Sequence, residues 1–190
     1  MSKRSKPRCS ICPIPAGDRS CLNQKGKGPP GCPTLADRKI LDNARQEYRT
    51  DDIQEFARQA SIQEGSCYVG RDEMPPAPHP VKTRIQEICE FAHRMNYNRL
   101  GLAYCIGLSS EAALFDRILV TQGFEVISVC CKAGSVPKEF IGIADDEKIY
   151  HGRHESMCNP IGQAEILNSR KTDFNIILGL CVGHDSLFFK

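Results

Sequence analysis

Eleven of the 190 residues are cysteine, and their spacing is the first chemical signal in the chain. Four of them fall close together as Cys9-x2-Cys12-x8-Cys21-x10-Cys32. A CxxC pair closes a tight turn whose two sulfurs can reach one metal, and two looser ligands from the loops that follow complete a tetrahedral set. Zinc sites commonly use two such paired turns, whereas this segment has one. Cys12 precedes Pro13 and Cys32 precedes Pro33, as proline follows the last cysteine of a bacterial ferredoxin run, although the spacing is not a ferredoxin's. Ligand softness does not separate the alternatives, so the expectation for Cys9, Cys12, Cys21 and Cys32 is a 4Fe-4S iron–sulfur cluster or a zinc ion. A metal that only staples the segment is as compatible with this spacing as an electron carrier.

The local charge agrees with either metal. Residues 1–33 hold seven Lys/Arg (Lys3, Arg4, Lys6, Arg8, Arg19, Lys25, Lys27) against Asp18, a net +6, while the remainder holds 18 bases and 22 acids, a net −4. Four thiolates around a divalent ion or a cubane cluster leave a charge of about −2, which nearby cations offset. A basic arm also suggests nucleic acid. Here the arm has no aromatic residue between Met1 and Pro33, so a stacking platform for single strands is missing and nucleic acid is an unlikely partner. The first eight residues, MSKRSKPR, are not followed by the apolar stretch of a secretory signal, and no run approaches the roughly 20 apolar residues that span a bilayer. The expectation is a cytoplasmic protein without a membrane partner. In a reducing compartment an odd cysteine count argues against a disulfide framework.

The elements that must position the remaining cysteines read as follows. Residues 1–33 show neither helical nor strand period and are punctuated by proline and glycine, as in a segment that folds around something other than its own core. Residues 34–69 contain a helical hairpin, with Thr34 and Thr50 as N-caps. Residues 70–80, GRDEMPPAPHP, carry four prolines and read as a linker without regular structure. From 81 to 190 helix and strand alternate. A helical stripe runs from Val81 to Met95, then come the strand Arg99–Tyr104, a helix capped by Ser109 or Ser110 and stopping at Gly123, and the strand Glu125–Val129. A helix after Pro137, a helix from Asn159-Pro160 to about Asn168, the strand Phe174–Leu180 and a new helix at Gly183-His184-Asp185 complete the pattern. Alternation of this kind predicts an α/β fold with a small, parallel, Rossmann-like sheet. The pattern stops inside a helix at Phe188-Phe189-Lys190, which predicts a further C-terminal part. GxGxxG and GxxxxGK[ST] are both absent.

Ligands of open parallel sheets bind at the carboxyl ends of the strands, and three strands here end in thiols. Cys105 follows the first strand, Cys130 and Cys131 the second, and Cys181 the third, while Cys158 stands just before the Asn159-Pro160 helix start. Cys105, Cys130, Cys131, Cys158 and Cys181 are therefore expected at one rim as binding residues for a metal or a thiol-reactive ligand. Cys130 and Cys131 are consecutive, so in extended chain only one of them faces the pocket. His184 lies three residues beyond Cys181 and can supply a ligand or a base. Cys158, Cys181 and His184 are the candidates for catalysis. The competing account is that free cysteines fill core space as small hydrophobes. Cys89, on a helical stripe, is assigned to packing, Cys67 stays undecided, and His79, His93, His151 and His154 read as surface or partly buried histidines.

The motifs Cys-x2-Cys-Pro, LGLAYCIGL, VISVCCK, MCNPIGQAEILN and GLCVGHDSLFFK together resemble a family of uncharacterised, cysteine-rich, predicted metal-binding proteins of bacteria and archaea, a domain of unknown function. The resemblance spans nearly the whole chain. It implies metal binding without naming the metal or a reaction, and it implies members that continue past Lys190 into another strand. The function expected from the residues is metal binding, through iron–sulfur or zinc, with a thiol-rich second site and a redox partner or small thiol-reactive ligand. The alternative is a thiol enzyme with a cysteine nucleophile, His184 as base and a purely structural zinc.

Overall fold

The computed structural model describes residues 6–190; Lys3 and Arg4 of the basic arm lie outside them. The chain divides into two compact units, one ending at Ser61 and the other running from Ile62 to Lys190.

None of the described residues of the first unit is buried. Its opening is irregular, with single 3-10 turns at Cys9–Ile11 and Ala16–Asp18. A short clasp follows, in which Ser20 N donates to Lys27 O (2.9 Å) and Lys27 N to Asp18 O (2.7 Å). Helix α1 (Pro33–Ala36) starts with proline at its first position, where a missing N–H costs nothing. Thr34 thus sits inside α1 and is not its cap. Helix α2 (Arg38–Glu47) and helix α3 (Asp51–Ser66) follow within the stretch read as a hairpin, and α2 buries no residue. Thr50 precedes α3, and its hydroxyl donates backwards to Glu47 O (3.0 Å).

The second unit opens with a two-residue antiparallel pair, β1 (Tyr68–Val69) and β2 (His79–Pro80). The proline-rich linker therefore does hold a ladder at its end: Pro80 lacks a donor, and Val81 N supplies the bond to Cys67 O (2.9 Å) instead. Helix α4 (Arg84–Arg94) is capped by the Thr83 hydroxyl, which accepts from Gln86 N. Then come β3 (Arg99–Tyr104), α5 (Ser109–Thr121), β4 (Glu125–Cys130), α6 (Pro160–Ser169), β5 (Phe174–Leu178) and α7 (His184–Phe188). The three strands form a parallel sheet in the order β4-β3-β5.

Both faces of this sheet are covered. Leu100, Leu102 and Ile176 pack with Cys89 and Ala92 of α4 and with Ala112, Phe115 and Leu119 of α5, while Ala103 and Val129 pack with Leu167 of α6 and Phe188 of α7. The near-continuous burial of β3, from Leu100 to Ala103, is what a central parallel strand requires. A Cβ at Gly101 would meet the side chain of its register partner Asn175, which would have to shift.

Two expected elements are shorter than the sequence suggests. The last strand stops at Leu178 because Gly179 adopts φ +59°, turning the chain left-handed before Leu180. The helix after Pro137 is a single 3-10 turn, Lys138–Ile141, ended by Gly142 at φ +84°. Most of the connection from Cys131 to Asn159 has neither helix nor strand, and ion pairs hold it. Lys138 Nζ meets Glu155 Oε1 at 2.6 Å, and Lys148 Nζ meets Asp145 Oδ1 at 2.6 Å and Glu139 Oε1 at 2.9 Å. Glu155 also accepts from the N–H groups of Ile149 and Tyr150.

Candidate functional site

The parallel sheet delivers thiols to its carboxyl edge through ordinary backbone hydrogen bonds. Cys105 N donates to Leu178 O (3.2 Å), so the residue after β3 stays against the end of β5, and Cys131 N donates to Tyr104 O (2.9 Å), continuing the β3–β4 ladder by one step. Asn159 N donates to Cys131 O (2.8 Å) and the Asn159 carboxamide caps α6 through Gly162 N (2.9 Å), which brings Cys158 to the same edge. After β5 the chain turns at Gly179 and again at Gly183 (φ +80°), and His184 N closes on Cys181 O (2.9 Å).

The donor atoms of Cys158, Cys181 and His184 consequently lie within 4.8 Å of one another. Two more thiols stand near enough to act on this group, Cys131 on Cys158 and Cys105 on Cys181. The sulfur of Cys130 accepts from Lys132 N (3.4 Å), within its own turn. Cys181 is exposed, Cys105, Cys158 and His184 are half-buried, and Cys131 is buried, with its Sγ accepting from Ile106 N (3.3 Å). Burial, above all, pushes the Cys131 thiol up to about 12, and the neighbouring Cys158 adds to the shift. Burial and then Cys105 raise the Cys181 thiol as well, while Lys132 acts in the opposite direction. Crowded thiols that resist becoming thiolates one by one are what a bound cation would stabilise together.

Sequence reasoning did not single out Gln163 or Lys132. Gln163 is fully buried, and its Nε2 donates to Val129 O (2.7 Å) and Tyr104 O (3.2 Å), tying α6 to the ends of β4 and β3 beneath the thiols. Its Oε1 is buried without a hydrogen-bond partner among the described residues. Lys132 Nζ donates to Ser156 O (2.6 Å), beside the segment that carries Cys158. A glutamine four residues into a helix carries no sequence signal of its own; the lysine after Cys-Cys did carry one, as the only cation adjoining the five rim thiols in sequence.

In the first unit Cys9, Cys12, Cys21 and Cys32 all line one cavity of about 330 Å³, together with Lys6, Arg8 and Arg19. Cys9 and Cys21 are exposed, while Cys12 and Cys32 are half-buried. Ser20 Oγ stands 3.5 Å from Cys32 Sγ, and this hydrogen bond lowers the Cys32 thiol below its ordinary value. Among the described residues no three of these four sulfurs come within 4.8 Å of one another. The remaining cysteines lie apart from both groups: Cys67 is buried with its thiol donating to Gln63 O (3.0 Å), and Cys89 sits in the α4–α5 core. His93 stacks on Phe124 (4.5 Å), and His154 meets Ser135 and Ser156 at the surface.

Fold and site together define a mixed helix–strand, cysteine-rich protein with a three-stranded parallel sheet and a cysteine–histidine group at its carboxyl edge. The chain belongs to the family described as protein of unknown function (DUF1847), whose model matches residues 32–190 and so includes every rim residue named above. It is 43% identical over 151 residues, 80% of this chain and 70% of the relative, to the uncharacterized protein MJ0455 of Methanocaldococcus jannaschii. No solved structure matches the chain.

Proposed function

We propose that this is a metal-binding protein with two separate centres: an ion held at the rim of a Rossmann-like sheet by Cys158, Cys181 and His184, and an iron–sulfur cluster held by Cys9, Cys12, Cys21 and Cys32. The observation that carries the reading is the convergence of two sulfurs and an imidazole within 4.8 Å. Thiolates on a tetrahedral zinc, with Zn–S bonds of about 2.3 Å, stand about 3.8 Å apart, so the rim needs only small side-chain adjustments to close on such an ion. The N-terminal quartet favours the larger group. Its four sulfurs share a cavity in which no three come within 4.8 Å of one another among the described residues, and a cluster holds its cysteines farther apart than a single metal does. Lys6, Arg8 and Arg19 offset the charge of the four thiolates, which gives the basic arm a role without nucleic acid. A cluster in one unit and a soft-metal or thiol-reactive site in the other suit a cytoplasmic protein that exchanges electrons with a redox partner.

The second reading is a thiol enzyme in which Cys158 or Cys181 attacks and His184 takes the proton. The proximity of imidazole and sulfur supports it. The raised Cys181 thiol opposes it, because an activated nucleophile has its thiol lowered.

Metal analysis of anaerobically purified protein separates the two. Cys181→Ser and His184→Ala should each remove one ion per chain while leaving iron and acid-labile sulfide in place. Unchanged metal content in both variants would end the rim-metal reading.

A further inference from the structure

A tetrahedral ion held by Cys158, Cys181 and His184 is one ligand short, and two thiols stand beside the group: Cys131 against Cys158 and Cys105 against Cys181. Neither lies within 4.8 Å of all three donors, so the one able to move decides the set. Cys131 is held on every side. It is 2% exposed, its backbone N–H and carbonyl are bonded to Tyr104 and Asn159, and its sulfur already accepts from Ile106 N. Turning it towards the ion would orphan that N–H and open space where its sulfur now packs.

Cys105 also has its backbone N–H and carbonyl bonded, to Leu178 O and Leu108 N, but no backbone N–H among the described residues holds its sulfur. It is half-buried and stands where the β3 ladder has ended, ahead of the 3-10 turn Ile106–Leu108. Its backbone is held against the end of β5 by Leu178 O, near the thiol of Cys181, so a change of χ1 between staggered rotamers can carry its sulfur towards the ion. Its place in the topology also fits. The chain leaves β3 for α5 on one face of the sheet and leaves the adjacent β5 for α7 on the other, which makes the edge between Cys105 and Cys181 the switch point where open α/β sheets bind ligands.

We propose that Cys105 is the fourth ligand of the rim ion, completing a closed Cys3His site of the zinc class, while Cys131 remains a non-ligating thiol. This rests on the reading of Cys158, Cys181 and His184 as ligands. A closed site leaves no position for a substrate on the metal, so its work is to hold the ion and to lock together the ends of β3 and β5, the start of α6 and α7. Three thiolates and a neutral imidazole around a divalent ion carry a charge of about −1, and Lys132 is the cation beside them.

Loading the full chain with cadmium-113 tests this, because the NMR shift of the metal reports the number of sulfur ligands. The rim signal is the one that His184→Ala displaces. It should lie where three sulfurs and one nitrogen place it, move upfield in Cys105→Ser and stay in place in Cys131→Ala. Proton–cadmium correlations in the unmutated chain give the same answer without any substitution, and should link the rim cadmium to the β-protons of Cys105, Cys158 and Cys181. A missing Cys105 correlation, or a Cys131→Ala signal displaced as by a lost ligand, would overturn the proposal. If no cadmium signal responds to Cys181→Ser or His184→Ala, the three-donor reading is what fails.

Discussion

Cys67 and Cys89 are 1% and 6% exposed, and burial pushes both thiols above their ordinary range, so these two sulfurs act as apolar volume. Cys89→Ala should cost about 1–2 kcal/mol in chemical unfolding and leave metal content unchanged. Cys181→Ser is expected to do the reverse. Its side chain is exposed, so the metal-free protein should unfold at nearly the wild-type denaturant concentration while the rim ion is lost, read by unfolding and metal analysis on the same samples. At this scale the sequence told much and omitted one choice. Cys158, Cys181 and His184 come together because the end of β5 and the start of α6 meet at the carboxyl edge of the sheet, a placement that the spacing conveys. Which of Cys130 and Cys131 neighbours Cys158 depends on which pleat face the ladder presents at Tyr104, and a consecutive pair cannot reveal that.

The elements are held in register at the edge opposite the thiols. The Asp173 carboxylate accepts from Asn98 N and Arg99 N, both at 2.8 Å, and Arg99 reaches Glu125 (2.8 Å) and Arg170 O (3.0 Å), so one arginine and one aspartate align the starts of all three strands. Asp173→Ala should cost about 1–2 kcal/mol in chemical unfolding, the lower part of what two charge-assisted bonds give, since the group is exposed. Leu167→Ala removes a fully buried side chain between α6 and the sheet and should cost about 2–5 kcal/mol. Glu90 of α4 supplies a pH dependence. Lys82 first, then Gln63, hold its carboxyl at about 2 instead of 4.5. A depressed carboxyl contributes stability that is complete above its unfolded value and is lost as pH falls through the folded one, so this contribution should fade from about 4.5 down to about 2. Urea unfolding across that window should show the loss in wild type and a flatter profile in Glu90→Gln. The strands were legible because Arg99–Tyr104 and Glu125–Cys130 are short apolar runs bounded by turn residues. The connection 131–159 was not, since its order comes from Lys138–Glu155 and Lys148–Asp145 pairs that follow no helical or strand period.

On the scale of the whole molecule the two units rest on different physics. The unit from Ile62 onward has a sheet covered on both faces, whereas the described residues up to Ser61 bury no side chain, so a segment that small must draw its order from something other than a core. Cys9→Ser/Cys12→Ser should therefore render the first unit protease-sensitive while the second unfolds at an unchanged temperature, seen by limited proteolysis and calorimetry. The same variant gives the most direct test of a separate metal at the rim: the metal and acid-labile sulfide content of the double variant, purified without oxygen. The account predicts that sulfide and its iron disappear and that one ion per chain remains, held by Cys158, Cys181 and His184. A double variant without any bound metal would contradict it.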